Sequence, residues 1–393
     1  MTWRGASFMV KGPLKGAQRE RNDRAMVTIR AAALSEFVRD IFATSGCSAA
    51  ESARIGKYLV SANLTGHDSH GVARVPRYLQ WKRDGIVMAD QAVKVLSETP
   101  VLAVVDGRHG FGQTVGPQAV AIGIEKCRAF GLSLVALKNS GHIGRIGDWA
   151  EMAAEAGLLS IHFVNASGSV LVAPFGGSER RLSTAPFAVG VPRPGQSPII
   201  LDFATSVVAE GKVLVASQGG KALPNDALID SDGRMSADPR LLYGDYTATG
   251  PRHGGKGSGA IRAFGDHKGS GLALMCELLG GSLTGMKATG SEEGTGPDRF
   301  RGNGMLSFYV DPKVVDPEAV FPQDVARYVA YFKSAKPASA GGEVLIPGEP
   351  EERMRQQRLR DGVPLPADTW ASIIEAARAV GVDERRIQQV GAA

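Results

Sequence analysis

The chain has 393 residues, of which 43% are hydrophobic, 22% charged and 6% aromatic, and its net charge is +5. This composition is typical of a globular protein of two or three domains and excludes disorder throughout. No apolar run reaches the roughly 18 residues of a membrane span and no signal-peptide pattern is present, so we expect a cytoplasmic protein without membrane contact.

The first segment, residues 1–26, has no sustained apolar periodicity and contains many helix breakers. Residues 1–25 carry six basic side chains against two acidic ones, which accounts for +4 of the net charge. We expect a disordered basic arm, or upstream sequence translated ahead of a start at Met26. Because the rest of the chain is then almost neutral, no nucleic-acid partner is predicted for the folded part.

A helical unit is predicted next. Its first helix has apolar residues at helical spacing at Leu34, Phe37, Val38, Ile41 and Phe42. Ser48 and Glu51 form a capping box at the start of a second helix. Residues 370–380 repeat the helical spacing and are expected to pack back on the N-terminal helices. Residues 27–105 and 311–393 are therefore predicted to form one helical domain.

From residue 101, short apolar runs alternate with helical segments in a βαβαβ pattern, which predicts an α/β fold. The predicted strands are 101–105, 132–137, 158–164, 188–191, 198–203 and 305–310. Residues 219–265 are rich in Gly, Asp, Pro and Ser with little periodicity, so we expect a long flap whose glycines, Gly254 to Gly259, form a mobile connection.

Glycine is unusually frequent, with 50 residues, as in proteins whose backbone approaches a nucleotide closely. Gly110, Gly112 and Gly116 mimic a dinucleotide fingerprint. The acidic residue expected about 20 residues further on is missing, however, so a tight turn into a helix is the favoured interpretation. The three cysteines, Cys47, Cys127 and Cys276, lie far apart in apolar contexts and are expected to be buried thiols.

Four of the seven histidines lie in polar loops flanked by glycine: His67, His70, His142 and His267. Loops of this kind can bring imidazoles to a ligand. A metal site needs at least three ligands, and His67, Asp68 and His70 could begin one. No HExxH motif or cysteine pair completes such a set, so we expect no metal.

The segment that follows contains Ser69, His70, Arg74 and Arg77. Histidine can transfer a proton near neutral pH, arginine can hold a carboxylate with two parallel hydrogen bonds, and serine can orient the imidazole. These are the components of a 2-oxo-acid reductase site. A serine hydrolase would need a GxSxG motif, which is absent. Alternatively, Arg74 and Arg77 are solvated residues at a helix start.

Six strings of the sequence resemble the type-2 malate/L-lactate dehydrogenase family, from about residue 27 to residue 383. They are GHDSHG (66–71), KNSGHIGRIGDWAE (138–151), PFGG (174–177), LDFATS (201–206), GDHKGSG (265–271) and IPGEPE (346–351). The resemblance implies a nicotinamide cofactor, NAD or NADP, bound by residues 106–310 in a non-Rossmann α/β fold with a central mixed sheet. It also implies a homodimer and a small carboxylate substrate.

The resemblance also implies roles for individual residues. His70 would be the acid/base, assisted by Ser69, with His142 at the junction of substrate and nicotinamide and able to exchange roles with it; Asp202 would complete the catalytic set. Arg74 would bind the substrate carboxylate, with Arg145 as the next candidate. The residues implied to line the cofactor are Asn165, Pro174, Gly176, Asp202, Thr205, Ser206, Lys268, Pro347 and Gly348.

The main hypothesis is therefore an NAD(P)-dependent oxidoreductase that acts at C2 of a 2-hydroxy or 2-oxo acid. A second hypothesis is a reductase of cyclic imino acids, in which C=N replaces C=O. From different classes, the loop histidines leave open a metal-dependent hydrolase, and the glycine-rich α/β pattern leaves open a non-catalytic nucleotide-binding protein.

Overall fold

The computed structural model describes residues 26–217, 222–247, 254–290 and 302–391. The predicted basic arm lies outside the described residues, as do residues 219–221 and 248–253 of the predicted flap. In the ranges that are described, no helix combines the length and apolar character needed to cross a membrane.

Within these ranges the strands are β1 (Met26–Ile29), β2 (Lys94–Glu98), β3 (Leu102–Asp106), β4 (Leu132–Ser140), β5 (Leu159–Val164), β6 (Val172–Ala173), β7 (Pro186–Val191), β8 (Ile199–Ala204), β9 (Leu228–Ile229), β10 (Met235–Ser236), β11 (Ala260–Arg262), β12 (Asn303–Val310) and β13 (Val363–Pro366). The helices are α1 (Ala31–Thr44), α2 (Ala49–Leu64), α3 (Val75–Arg83), α4 (Gly112–Phe130), α5 (Gly147–Glu155), α6 (Glu210–Ser217), α7 (Arg240–Tyr243), α8 (His267–Cys276), α9 (Pro312–Val315), α10 (Phe321–Lys333), α11 (Glu349–Asp361), α12 (Ala367–Val380) and α13 (Glu384–Gly391). Two 3-10 turns, Asp68–His70 and Val72–Arg74, lie between α2 and α3, and a π-helical segment, Glu277–Leu283, continues α8.

The two ends of the chain share one helical core. The apolar stripe of α1 is fully buried, and Phe37 contacts Trp370 of α12 with ring centroids 5.6 Å apart. β1 and β13 pair antiparallel and join the two ends directly. Ser48 caps α2 by accepting a hydrogen bond from the Glu51 N–H, but the Glu51 carboxylate accepts from Asp90 N at 2.7 Å instead of closing the capping box.

The central sheet is mixed, with strand order β2-β3-β4-β12-β5-β7-β8. β3 and β4 are parallel and the other neighbours are antiparallel. β12, which comes from near residue 305, lies between β4 and β5 in the sheet. The strands of the predicted βαβαβ unit are therefore not all adjacent. Since β2 and β3 belong to this sheet, the predicted domain boundary at residue 105 is too late. α4 and α5 cover one face of the sheet around the buried Trp149.

A third core lies under a small sheet of order β10-β9-β11-β6. It buries Leu228 and Ile261 from the sheet together with Leu242 and Tyr243 of α7. The described parts of the predicted flap therefore belong largely to a packed module. The interpretation as a flap was wrong there because the short apolar pairs of β9 and β11 become visible as strands only when they meet each other.

Candidate active site

The loop that carries Ser69 and His70 is held by Asn63 at the end of α2. The Asn63 side chain is buried, accepts a hydrogen bond from Val72 N at 2.8 Å and donates one to the Asp68 carboxylate at 2.6 Å. A Cβ atom on Gly71 would lie 2.2 Å from Asn63 Oδ1, so only glycine fits there. Arg358 of α11 pairs with Asp68 at 2.6 Å and anchors the loop from outside.

Two histidines from distant parts of the chain face each other beside this loop. The rings of His70 and His142 are nearly parallel, at an angle of 16°, with centroids 5.5 Å apart. His70 Nδ1 lies 3.1 Å from Ser69 Oγ, as the sequence predicts for an oriented imidazole. Both rings are half-buried. The structure therefore brings together the three predicted side chains Ser69, His70 and His142.

A buried tyrosine fixes the second imidazole. Tyr78 Oη lies 2.6 Å from His142 Nδ1, and Gln113 Nε2 donates to Tyr78 Oη at 3.1 Å. With the amide donating to the phenolic oxygen, the Tyr78 hydroxyl can donate to His142 Nδ1 or to His142 O at 3.4 Å, and when it donates to Nδ1 the proton of a neutral His142 lies on Nε2. Burial raises the pKa of Tyr78 to about 12, so this donor stays protonated.

Both histidines are neutral in this site. Burial and the positive charge of Arg74 lower the pKa of His70 to about 3. The same two causes hold the pKa of His142 well below its usual value. A neutral imidazole keeps one ring nitrogen free to accept a hydrogen bond or a proton.

Arg74 supplies the cation of the cluster. Its Nε donates to Ser69 O at 2.6 Å, while its two terminal nitrogens make no hydrogen bond within the part of the chain that the structure describes. A guanidinium with two free parallel donors matches a carboxylate. Arg77 is exposed and lies over the Trp81 ring at 6.0 Å, so it does not join the cluster.

Arg145 has a different environment from the one predicted. Its side chain is 1% exposed and pairs with Asp148 at 3.0 Å and Glu151 at 2.8 Å. Asp202 lies 3.8 Å from Arg145 Nε and accepts the Gly147 N–H at 2.8 Å. Arg145 is thus not available as a substrate clamp in this structure. Together with Asp202 it holds the loop that follows His142.

Some predicted cofactor residues lie near the carboxyl end of β8. Pro174 and Gly176 belong to a turn whose Phe175 N–H donates to Ser270 Oγ of α8 at 2.9 Å. This turn lines a cavity of about 400 Å³, and the exposed Lys268 lies in the first turn of α8. Helix N-termini attract phosphate, which suits the prediction for Lys268.

Pro347 and Gly348 lie at the other end of β8, where Pro347 O accepts the Ile200 N–H at 3.3 Å. Gly348 has a φ of +95°, and both residues line a second cavity of about 330 Å³. The two cavities have no lining residue in common. The predicted cofactor residues therefore form two groups rather than one.

Three further predicted cofactor residues have no side chain available to a ligand in this structure. Asn165 is fully buried, accepting from Gly304 N at 2.8 Å and donating to Lys287 O at 2.9 Å. Thr205 Oγ1 donates to Ala185 O at 2.7 Å, and Ser206 Oγ donates to Val208 O at 2.9 Å. They shape the strand ends instead.

Two residues of the site were missed by the sequence analysis. The sequence predicts for Tyr78 only a place on the apolar face of α3, because nothing in a single helical stripe shows that its hydroxyl meets a histidine from another loop. Gln113 lies within the glycine-rich string that mimics a phosphate loop. The glycines there serve close packing: a Cβ on Gly112 would lie 2.3 Å from His142 O.

The other loop histidines stay outside the cluster: His67 Nδ1 contacts Thr65, and His267 packs edge to face on Phe175. Over the described ranges, no group of three or more His, Cys, Asp or Glu side chains is arranged to hold a metal ion.

The chain matches the family model for malate/L-lactate dehydrogenase over residues 29–374. It is 37% identical to hydroxycarboxylate dehydrogenase B of Escherichia coli K12 over 356 residues, which covers 90% of this chain and 95% of that protein. The structure resembles malate dehydrogenase from Pyrococcus horikoshii, with a TM-score of 0.79, 27% identity and coverage of 92% and 97% of the two chains.

A third likeness is to delta1-piperideine-2-carboxylate reductase from Pseudomonas syringae, with a TM-score of 0.72, 27% identity and coverage of 89% and 99% of the two chains. The resemblance drawn from the sequence strings and the predicted mixed α/β fold are both confirmed. The match covers the helical core, the central sheet and the loops that carry both histidines. The chain belongs to the malate/L-lactate dehydrogenase family of oxidoreductases.

Proposed function

We propose that this enzyme oxidises a small 2-hydroxy acid, or reduces the corresponding 2-oxo acid, with His70 transferring the proton. The observation that carries the proposal is the pair of facing imidazoles beside Arg74, whose terminal nitrogens make no hydrogen bond with any described residue. When bound, a nicotinamide supplies or accepts the hydride. The protein contributes orientation, charge and proton transfer.

Each side chain of the cluster has a defined task in this proposal. Arg74 binds the substrate carboxylate and so places C2 and its oxygen between the two imidazoles. Neutral His70 takes the proton of the C2 hydroxyl during oxidation, and Ser69 holds its Nδ1. The bound carboxylate offsets the positive charge of Arg74, which raises the pKa of His70 and favours the protonated product. His142 donates Nε2–H to the same oxygen, and the two histidines can exchange these roles.

The cofactor is NAD or NADP in this proposal. The cavities beside Pro174 and Pro347 fit parts of a dinucleotide, and Lys268 suits a phosphate. Lys268→Ala and Gly348→Val would each be titrated with NADH and NADPH by fluorescence, with Lys57→Ala as a surface control. A variant whose dissociation constant stays at the wild-type value removes that residue from the cofactor site.

A substrate screen tests the reaction itself. Purified enzyme is mixed with 2-oxo acids of increasing size and with NADH or NADPH, and the nicotinamide absorbance is followed. Turnover of a 2-oxo acid that is abolished in His70→Ala and retained in Arg77→Ala supports the proposal. Absence of turnover on every 2-oxo acid in both cofactors contradicts it.

Reduction of a cyclic imino acid is the second candidate. The observation in its favour is the likeness to the piperideine-2-carboxylate reductase. An imine carboxylate would bind Arg74 in the same way, and its nitrogen would replace the C2 oxygen. Cyclic imino acids belong in the same screen, and a higher kcat/KM for them than for any 2-oxo acid would favour this second reaction.

We further propose a homodimer located in the cytoplasm. One face of the central sheet carries half-buried rings: Phe163, Phe187, Phe203 and Phe308. Apolar side chains of α10 are exposed as well, including Tyr328 and Tyr331. Such surfaces favour association. Light scattering after gel filtration tests the mass, and the three buried free cysteines suit a reducing compartment.

A further inference from the structure

A single arginine organises the backbone of the small-sheet module. Arg180 Nε donates to Gly259 O at 2.6 Å, and its terminal nitrogens donate to Gly257 O at 2.8 Å, to Leu242 O at 3.2 Å, to Leu241 O at 3.3 Å and to Gly254 O. It forms no ion pair with any described residue. Burial lowers its pKa, and within the described residues backbone carbonyl groups surround the charge.

The glycines around Arg180 allow this arrangement. A Cβ on Gly257 would lie 2.2 Å from Leu241 O, and a Cβ on Gly259 would lie 2.6 Å from Ile229 O. The segment 254–259 can therefore approach the end of α7 closely. As a result, the carbonyl groups of this segment and those of Leu241 and Leu242 reach the same guanidinium. The glycines that the sequence predicts as a mobile connection here bring their carbonyl groups to one guanidinium.

This cluster connects to the active site through α6. Tyr243, next to the carbonyls that Arg180 holds, donates from Oη to Glu210 O at 3.4 Å. The next residue, Gly211, packs directly on the catalytic loop, since a Cβ there would lie 2.5 Å from Ser69 Cβ. Ser69 in turn contacts His70 Nδ1 at 3.1 Å. Every step in this path is a direct contact.

We infer that Arg180 is a positioning residue for the reaction: it clamps segments 241–242 and 254–259, and through Tyr243 keeps the first turn of α6 against Ser69. The inference rests on the proposed function, in which His70 transfers the proton. Without the guanidinium, five carbonyls lose their shared donor and α6 loses its support. Ser69 then holds His70 less firmly, and small displacements of a reacting group cost rate.

Three variants test the inference: Arg180→Gln, Arg180→Lys and, as matched control, Arg181→Gln, whose side chain is 65% exposed. Turnover is expressed per cofactor-binding site, counted by NADH titration, so that unfolded protein does not contribute. We expect Arg180→Gln to lower kcat about tenfold while KM and the NADH dissociation constant change less than about twofold. Arg180→Lys should recover part of the loss, and Arg181→Gln should match the wild type.

Tyr243→Phe tests the path without removing the guanidinium, which matters if Arg180→Gln fails to fold. It should lower kcat per site about threefold, because the hydrogen bond from the Tyr243 hydroxyl to Glu210 O is lost. The inference is overturned if Arg180→Gln keeps the wild-type kcat per site. If Arg180→Gln does not fold, a wild-type kcat per site in Tyr243→Phe overturns it instead. If the inference about Arg180 is overturned but His70→Ala is inactive in the same assay, the proposed function still stands. Full activity of His70→Ala overturns both.

Discussion

His162 and the facing pair of His70 and His142 show two uses of a buried imidazole. His162 lies inside the central sheet, fully buried, with Nδ1 2.8 Å from Ser307 Oγ and Nε2 3.0 Å from Ser160 Oγ. Burial lowers its pKa to about 3, the same value as for His70. A shifted pKa therefore does not identify the active site here. The half-buried position of His70 and the adjacent terminal nitrogens of Arg74, which make no hydrogen bond with any described residue, distinguish the proposed site from His162.

The largest expected effect separates the two kinds of histidine directly. His70→Ala should lower turnover by on the order of 10² to 10⁴, because a positioned acid/base is lost. His162→Gln should leave turnover per folded site unchanged and lower the melting temperature. Steady-state kinetics and thermal unfolding of both variants check this. If His70→Ala keeps more than half of the wild-type rate, the proton passes through His142.

Tyr78→Phe tests whether the hydroxyl that contacts His142 matters to the chemistry. The variant keeps the ring in its apolar surroundings and removes the donor to Nδ1, so the tautomer of His142 is no longer fixed. We expect kcat to fall about tenfold with unchanged NADH binding. Tyr331→Phe, on the exposed face of α10, is the control. Equal rates in both variants would show that His142 needs no such partner.

Arg74→Lys keeps the charge beside the histidines and removes the guanidinium geometry. We expect KM for a 2-oxo acid to rise about tenfold, because an ammonium cannot form two parallel hydrogen bonds with a carboxylate. Arg77→Lys, at an exposed position nearby, should leave KM unchanged. A KM that is unaltered by Arg74→Lys across several acids would make Arg74 a residue of the loop structure alone.

The smallest effect is a stability change with pH. Unfolded histidines bind protons below pH about 6.5, whereas His162 stays neutral in the fold until pH approaches about 3. As the pH falls through this window the unfolded state binds more protons, so the free energy of unfolding decreases, by about 1.4 kcal/mol in total between pH 7.5 and pH 5.5 for each such histidine. Urea unfolding at pH 7.5 and 5.5 measures the slope. His162→Gln should reduce this pH dependence by the contribution of one histidine. An unchanged pH dependence would contradict a neutral His162.

Local patterns in the sequence determined much of this protein. The stripe of α1, the return of α12 to the N-terminal helices and the strands around the sheet follow from apolar periodicity, which short-range sequence records. Ser69, His70, Arg74 and His142 could also be named in advance. Their residue types carry the chemistry, and they lie in glycine-flanked polar loops where side chains reach a ligand.

Only the tertiary structure decided which of these side chains contact each other and which are already paired with other protein groups. Arg74 was the first candidate for the substrate carboxylate and Arg145 the next, and in the structure three carboxylates surround Arg145, whereas the terminal nitrogens of Arg74 make no hydrogen bond with any residue that the structure describes. Tyr78 meets His142 across 64 positions, and Arg180 gathers carbonyls from 61 to 79 positions away. Such contacts depend on how whole elements pack, and periodicity within one helix or strand does not contain that information.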